Sequence, residues 1–380
     1  MKKILIVSRN YPPLWGGMER LNLRMVEALA RVAETRLIAP EGAVVHAPPN
    51  VAVTQVPLRP VSRFLLSASW QTLRLARAWK PGIILAGSGL MAPPALAAAR
   101  LCGARAVAYA HGLDITVPHP VYRTLWWPAL RRLDAVITNS RATAKLAQDI
   151  GLSTQRISIV PPGVDLPPRD AAARERFRAT HDLGNCPVLL SVGRLAARKG
   201  LREFVADALP QIVSKIPSVR FVIVGTPPSG ALYAKAQTPE HIRQAAETVG
   251  VAGHLRFLGN IGDSELLDAY AGSDAHVFPV RHIPDDPEGF GMVAVEAAAS
   301  GLATVAYATG GVVDAVHDGV SGVLVPPGDA TAFADAVVSL LRHPLPDSPI
   351  RDFAAGFGWN LFGEKIHAIL ERVAPDRDDA

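Results

Sequence analysis

Short, continuously apolar runs rich in β-branched residues alternate along the chain with longer stretches in which apolar positions recur at helical spacing. Such runs are typical of strands in a parallel sheet that helices cover on both faces. Their alternation with helices predicts right-handed βαβ units wound into open sheets. The predicted strands, in chain order, are Ile4–Ser8, Val51–Val56, Ile83–Ala86, Ala106–Ala110, Ala135–Thr138, Ile157–Val160, Val188–Val192, Arg220–Val224, His254–Leu258, Ala275–Phe278, Thr304–Tyr307 and Gly322–Val325.

The strands fall into two sets of about six, which predicts an α/β protein with two Rossmann-like, doubly wound domains. A length of 380 residues suits two domains better than one core. The Pro-Pro-Gly turn within Val160–Asp165 stops a strand, so we place the boundary between residues 165 and 166. The apolar part of the N-terminal segment is too short for a signal peptide, and no apolar run approaches the roughly 20 residues of a spanning helix.

Composition narrows the class of protein further. With 49% hydrophobic and 19% charged residues the chain is globular, and its two cysteines, Cys102 and Cys186, match neither a disulfide framework nor a metal site. We therefore expect a reducing compartment. Residues 1–165 contain 20 Lys and Arg against 8 Asp and Glu, a balance of +12, whereas residues 166–380 have a balance of −7. This asymmetry indicates an anionic partner for the first half of the chain. The alternative is an excess of solvated basic side chains on its surface that bind no partner.

Candidate chemistry in the first half lies in two loops after predicted strands. Gly16 and Gly17 precede a helix, where close backbone approach and free amides suit a phosphate, although a glycine pair is also common in ordinary tight turns. His111 follows an apolar strand and precedes a glycine at the carboxyl edge of the sheet, where ligands of open α/β sheets bind. A structural role for this histidine is the alternative.

The second half has two further candidates. Arg194 and Lys199 stand in the loop after Val188–Val192, where a guanidinium and an ammonium can hold a diphosphate. Glu288 precedes a predicted helix and Glu296 lies one turn inside it, and a carboxylate can accept hydrogen bonds from the two hydroxyls of a sugar or ribose. The alternatives are that Arg194 and Lys199 are solvated loop charges and that Glu296 is a surface residue of its helix.

The order of these motifs resembles the retaining glycosyltransferases of family 4. The resemblance rests on Gly16-Gly17, the Val-Gly-Arg-Leu-x-x-x-Lys-Gly block, the Phe257-Leu-Gly259 strand end, the Glu-x7-Glu segment from Glu288, and two Pro-Pro-Gly blocks that start at Val160 and Val325. It implies a GT-B fold. It further implies an acceptor-binding domain over residues 1–165, joined by a C-terminal crossover helix over about 359–380, and a nucleotide-sugar-binding domain over 166–358.

The resemblance also assigns site residues. The expected catalytic residues are His111 near the anomeric centre, Arg194 and Lys199 on the diphosphate, and Glu288 on the transferred sugar. Glu296 would bind the ribose diol. The expected donor-binding residues are Gly16, Gly17, Arg194, Arg198, Lys199, Glu288, Gly289, Phe290, Gly291, Met292 and Glu296. The family needs no metal, and the cleft loops lack an Asp-x-Asp pair, so we expect no cofactor.

Two segments of the first half, which should bind the acceptor, combine basic and aromatic residues at helical spacing. These are Arg59–Lys80, with Phe64, Trp70 and Trp79, and Tyr122–Arg132, with Trp126 and Trp127. Such helices favour anionic membranes, although buried tryptophans with solvated arginines would give the same pattern. No nucleic-acid-binding module accompanies the charge, so we do not expect a nucleic-acid partner.

These observations predict a cytoplasmic enzyme, peripheral on the inner face of the cell membrane. It would move a hexose from a nucleotide-diphosphate sugar to a lipid-linked glycan acceptor in cell-surface polysaccharide or glycolipid assembly. The segment Arg281–Pro287 resembles that of members that use GDP-mannose. The alternatives are a UDP-sugar-dependent transferase with a soluble acceptor, a GT-B sugar-nucleotide epimerase and a non-catalytic sugar-binding protein.

Overall fold

The computed structural model describes residues 2–227 and 236–374, which form two compact units. The first unit contains residues 2–163 and 359–374, and the second contains residues 164–358. Each unit is an α/β layer structure around its own parallel sheet. The fold class is therefore the one that the alternation of strands and helices predicts.

The first unit has a seven-stranded sheet in the order β3-β2-β1-β4-β5-β6-β7, with every neighbouring pair parallel. Its strands are β1 (Lys3–Val7), β2 (Glu34–Pro40), β3 (Ala52–Val56), β4 (Ile83–Ala86), β5 (Arg105–Ala110), β6 (Ala135–Thr138) and β7 (Ile157–Ile159). The sequence pattern missed β2, because Glu34 and Arg36 interrupt the apolar run of this strand.

Helices cover both faces of this sheet, and two clusters of buried apolar side chains lie one on each face. The helices are α1 (Gly17–Ala30), α2 (Val61–Trp79), α3 (Ala92–Cys102), α4 (Leu113–Thr116), α5 (Pro120–Arg131) and α6 (Arg141–Asp149). The middle helix α3 packs against both α2 and α5.

The second unit has a six-stranded parallel sheet in the order β10-β9-β8-β11-β12-β13. Its strands are β8 (Val188–Val192), β9 (Arg220–Val224), β10 (Leu255–Gly259), β11 (Ala275–Phe278), β12 (Thr304–Tyr307) and β13 (Gly322–Val325). The order reverses between β8 and β11, so the loops after these two strands meet at the carboxyl edge, where ligands of such sheets bind.

The helices of the second unit again lie on both faces of its sheet. They are α7 (Ala173–Thr180), α8 (Leu201–Glu203), α9 (Leu209–Lys215), α10 (Pro239–Thr248), α11 (Asp263–Gly272), α12 (Met292–Ala299), α13 (Val312–Ala315), α14 (Ala330–Arg342) and α15 (Asp347–Ala355). A π-helical segment, Phe204–Ala208, joins α8 to α9.

The last helix, α16 (Trp359–Val373), returns to the first unit. Its Phe362 and Ile366 are buried in the cluster that includes α1, and Gly363 allows the close approach because a side chain there would press on Ala28. This helix corresponds to the expected crossover helix, of which residues 375–380 lie outside the described residues. Within the described ranges, no helix is both long and apolar enough to cross a bilayer.

Candidate active site

The loop that follows β8 places two cations at the carboxyl edge of the second sheet. Lys199 ends a single 3-10 turn, Ala197–Lys199, and Gly200 follows it with a φ of 68°. A Cβ at Gly200 would overlap the carbonyl oxygen of Pro279, in the loop after β11. The glycine therefore lets the two loops at the switch point pack against each other.

This packing brings together charges that are 90 residues apart in sequence. The Nζ atom of Lys199 donates to Oε2 of Glu288 at 2.7 Å, and Nε of Arg198 donates to the same oxygen at 3.2 Å. A further carboxylate, Asp286, accepts from Nη1 of Arg198 at 3.1 Å. All four side chains are largely buried, so their charges interact with little solvent screening.

Mutual neutralisation sets the protonation of this cluster. Burial alone would raise the pKa of Glu288, but the charges and hydrogen bonds of Lys199 and Arg198 lower it to about 2. Burial lowers the pKa of Lys199, against the opposing effect of Glu288. Burial also acts to lower the pKa of Arg198, but Glu288 and Asp286 raise it overall. Glu288 is therefore an ionised acceptor at neutral pH, which is what hydrogen bonding to sugar hydroxyls requires.

Arg194 adds a third cation to this edge. Its charge lowers the pKa of Lys199, so it lies within electrostatic reach of the ammonium group. Its guanidinium makes no hydrogen bond or ion pair with the described residues. Arg198 and Lys199 contact the carboxylates of Glu288 and Asp286, and the further positive charge of Arg194 near Lys199 suits an anion.

The segment from Glu288 to Met292 forms the loop that enters α12. Gly291 precedes the helix without a side-chain cap, so the first backbone N–H groups of α12 are available to a ligand. Phe290 is buried in the core and anchors the loop. Gly289 is covered by Gly311, whose N–H donates to the carbonyl oxygen of Glu288 at 2.9 Å.

Glu296 lies on α12 as expected, and its carboxylate has a partner. The Tyr270 hydroxyl, from α11, donates to Oε2 of Glu296 at 3.3 Å. This contact satisfies a carboxylate on an otherwise apolar helix. Its role towards a ribose stays a prediction.

Sequence reasoning missed Asp286 and His276 at this site. Asp286 stands in the acidic segment before Glu288, which was a usable signal, whereas His276 lies inside β11 and carries none. His276 is fully buried, with Nδ1 3.1 Å from Oγ1 of Thr304. Burial and the charge of Lys199 lower its pKa to about 3, so the imidazole is neutral.

His111 in the first unit also occupies the carboxyl edge of its sheet. Its Nε2 lies 3.0 Å from the carbonyl oxygen of Gly87, so Nε2 is the protonated nitrogen. Asp114 shapes the loop, because its carboxylate accepts from the backbone N–H groups of His111 at 2.8 Å, Gly112 at 3.0 Å and Gly89 at 2.7 Å. The ring is thus held in one orientation.

Gly16 and Gly17 stand at the start of α1, as expected. Gly17 is the first residue of the helix, and Gly16 precedes it without a side-chain cap. The carboxylate of Glu19 lies against Gly16 and accepts from Nδ2 of Asn10 at 2.9 Å. The contribution of the two glycines to donor binding stays a prediction, as does that of His111.

The two basic aromatic segments form α2 and α5, and these helices differ in how far their tryptophans are exposed. Trp126 and Trp127 are half-buried, and their indole N–H groups donate to the carbonyl oxygens of Leu90 at 2.8 Å and Ile115 at 3.1 Å. Trp70 is 60% exposed, with the Arg74 guanidinium 5.4 Å from its ring centre.

Among residues 2–227 and 236–374, no three His, Cys, Asp or Glu side chains are grouped so that they could hold a metal ion. The charged groups brought together here are suited to binding an anion and neutralising charge on it.

Two parallel Rossmann-like sheets, with cations and a carboxylate at the switch point of the second, match the GT-B architecture. Two family models match the chain: "Glycosyltransferase Family 4" over residues 15–167 and "Glycosyl transferases group 1" over residues 186–343. The chain belongs to glycosyltransferase family 4, and it is a glycosyltransferase.

Relatives and solved structures agree with this assignment. The chain is 32% identical to a GDP-mannose-dependent alpha-(1-6)-phosphatidylinositol monomannoside mannosyltransferase of Mycolicibacterium smegmatis, with 90% of each chain covered. It is 31% identical to the protein of that name in Mycobacterium tuberculosis, with 94% of each covered. The structure of Anabaena HepE in complex with UDP shares the fold, with a TM-score of 0.81, 20% identity, and 98% of this chain and 100% of that chain covered.

Proposed function

We propose that this protein transfers mannose from GDP-mannose, with retention of anomeric configuration and without a metal, to a lipid-linked acceptor in cell-surface polysaccharide or glycolipid assembly. The observation that carries the proposal is the buried cluster of Arg198, Lys199 and Glu288 at the switch point of the second unit. It combines a carboxylate for sugar hydroxyls with cations for a diphosphate.

The cations supply the main catalytic effect. Cleavage of a glycosyl–phosphate bond leaves negative charge on the diphosphate, and groups aimed at developing charge stabilise it most in a dry site. Arg194, Arg198 and Lys199 would take this charge. Glu288 would orient the sugar, aided by the N–H groups of Phe290 and Gly291.

The names of the relatives support the choice of substrates. The mannosyltransferases at 32% and 31% identity are named as GDP-mannose-dependent, and their named acceptor is a phosphatidylinositol glycolipid. A D-inositol 3-phosphate glycosyltransferase of Geodermatophilus obscurus is 35% identical over 64% of this chain and 53% of its own. Both named acceptors carry a phosphate, so we propose a phosphorylated polyol as the acceptor head group.

An anionic membrane surface is the partner that we propose for α2. Leu66 and Trp70 are 74% and 60% exposed on this helix, beside Arg63, Arg74 and Arg77. Residues 42–113 contain Lys and Arg but no Asp or Glu. Exposed apolar side chains among cations match the interface of an anionic bilayer.

The donor assignment is tested by thermal shift with GDP-mannose, GDP, UDP-glucose and UDP, because a ligand that binds the folded state stabilises it. We expect GDP-mannose and GDP to raise Tm more than the uridine ligands do. A larger shift with UDP-glucose would favour a UDP-sugar transferase. Conversion of the donor sugar with no acceptor present would favour an epimerase.

The diphosphate assignment is tested with Lys199→Ala. We expect transfer to fall about 100-fold or more, the loss seen when one donor to developing charge is removed. Lys215→Ala, which removes an exposed ammonium paired with Asp335, is the matched control. Unchanged turnover in Lys199→Ala would remove the cluster from the mechanism.

A further inference from the structure

Arg9, two residues after β1, is a buried cation that has no bonded partner in the part of the chain that the structure describes. Its side chain is 6% exposed, and its Nε atom is buried with no hydrogen-bond acceptor. Its guanidinium forms no ion pair or hydrogen bond with any described residue. A guanidinium cannot shed its charge in a protein, so burial without a partner is costly unless a ligand supplies the acceptors.

The charged groups around Arg9 leave an excess of positive charge. Its electrostatic neighbours are Glu19 and Arg59, and burial together with Arg59 outweighs Glu19, so the pKa of Arg9 is lowered. Oε1 of Glu19 accepts from Nδ2 of Asn10, and the described residues show no hydrogen bond between Glu19 and Arg9. The uncapped N-terminus of α1, a helix of 14 residues, adds its partial positive charge.

Unpaired polar atoms continue from Arg9 along the carboxyl edge of the first sheet. Oγ of Ser88 and Oδ1 of Asn139 are buried, and neither has a hydrogen-bond partner among residues 2–227 and 236–374. Asn139 donates its Nδ2 to the carbonyl oxygen of His111 at 3.2 Å, and His111 contacts Gly87, next to Ser88. These oxygens can accept hydrogen bonds from hydroxyl groups of a ligand.

We propose that Arg9 binds a phosphate group of the acceptor and that Ser88 and Asn139 bind hydroxyls of the polyol attached to it. The proposal rests on the proposed function, since it adds an acceptor subsite to a transferase whose donor site lies in the second unit. A phosphate would give Arg9 the bidentate acceptor that it lacks.

Calorimetry on the full chain tests the proposal. It measures the binding of glycerol 1-phosphate, inorganic phosphate and glycerol, each with and without saturating GDP. We expect Arg9→Gln to weaken glycerol 1-phosphate about tenfold or more, the loss of one charge-assisted contact, and to leave GDP affinity unchanged. Arg100→Gln, which replaces an exposed arginine of α3, should bind as the wild type does. Equal affinity of Arg9→Gln and the wild type for glycerol 1-phosphate would overturn the proposal.

Arg9→Lys keeps the test decisive if Arg9→Gln does not fold. It retains the positive charge but loses the planar guanidinium that can contact phosphate through two hydrogen bonds. Phosphate should therefore bind more weakly while GDP binds as before. Unchanged phosphate affinity in Arg9→Lys would then overturn the proposal. Failure of GDP to bind the wild type would instead contradict the proposed donor, which separates the two failures.

The source of the phosphate is distinguished with vesicles of phosphatidylinositol in phosphatidylcholine. If Arg9→Gln weakens binding to these vesicles as well as to glycerol 1-phosphate, a lipid head group supplies the phosphate. If it weakens only glycerol 1-phosphate, a soluble phosphorylated acceptor does. Either result supports the phosphate site. If Arg9→Gln weakens binding to neither the vesicles nor glycerol 1-phosphate, the proposal is overturned.

Discussion

Asp286 determines how Arg198 is presented at the site. Its carboxylate holds Nη1 of Arg198 while Nε of the same guanidinium contacts Glu288, so the arginine is fixed from two sides. Because Asp286 acts on the site through its contact with Arg198, we regard it as a positioning residue.

We expect Asp286→Asn to lower kcat about tenfold, because a neutral contact replaces the charged one and Glu288 alone then holds Arg198 by a charge-assisted hydrogen bond. The KM for the donor should change less than kcat. Steady-state kinetics measure kcat and KM separately. Asp286→Glu should retain part of the rate that Asp286→Asn loses. The control is Asp352→Asn, which changes an exposed carboxylate on α15. A fall in thermal stability with no change in kcat would reduce Asp286 to a structural role.

His276 makes stability sensitive to acid. Its folded pKa of about 3 lies below the ordinary value of 6.5, so the unfolded chain binds a proton between these two values and the folded chain does not. The stability associated with the neutral ring is therefore fully present above pH 6.5 and is lost as pH falls towards 3. The slope from this one group is about 1.4 kcal/mol per pH unit.

We expect His276→Gln to show a shallower loss of Tm between pH 7 and pH 5 than the wild type, even where its Tm is lower throughout. His343→Gln, at an exposed histidine, should keep the slope of the wild type. Thermal melts at several pH values measure this. Parallel curves for His276→Gln and the wild type would contradict the assignment.

Among the elements, the loop after β8 depends on Gly200 more than on its charged residues for its conformation and packing. At Gly200 a side chain meets both a left-handed backbone and the carbonyl oxygen of Pro279, whereas at Gly250, after α10, a Cβ would meet nothing within 4 Å. The two positions have similar φ values of 68° and 75°. They therefore separate the effect of crowding from the effect of backbone conformation.

We expect Gly250→Ala to lower the free energy of unfolding by about 1 kcal/mol, the cost of a left-handed residue. Gly200→Ala should cost several times as much and should also weaken GDP binding, since Lys199 is the preceding residue. Denaturant unfolding and GDP titration measure both effects. Equal losses in the two variants would mean that the contact with Pro279 does not matter.

On the scale of the whole molecule, the charge is divided between the units, with the excess of cations in residues 1–165. Leu66 and Trp70 on α2 add apolar surface to this basic unit. Charge alone would give binding that salt abolishes, whereas inserted apolar side chains leave part of the binding at high salt.

We expect the full chain to float with vesicles that contain anionic lipid, and less so as salt rises. The double variant Leu66→Ser/Trp70→Ser should bind about 100-fold more weakly or worse, because each withdrawn apolar side chain contributes about 1.5–3 kcal/mol. The matched control is Val249→Ser/Leu267→Ser, which removes exposed apolar side chains from the second unit. Equal flotation of the two double variants, or equal binding to neutral vesicles, would contradict this interface.

The fold class follows from the sequence because strands of a parallel sheet that helices cover are rich in apolar residues, and such runs predict twelve of the thirteen strands in the described part of the chain. The exception, β2, begins with Glu34, Thr35 and Arg36, and its pairing with β1 and β3 outweighs its polar start. Helix α2 shows the limit of side-chain patterns, since Phe64 and Trp79 are buried while Trp70 is exposed.

The sequence by itself determined the α/β class, the family and the identity of Arg194, Lys199, Glu288 and Glu296 as candidates, because local runs and short motifs encode them. Only the tertiary structure decided that Asp286 holds Arg198, that His276 lies buried near Lys199, and that Arg9 is buried without a bonded partner among the residues described. The pair of Asp286 and Arg198 joins segments 88 residues apart. These relationships arise from the meeting of strand ends at one sheet edge and from burial, and neither is visible in the local order of residues.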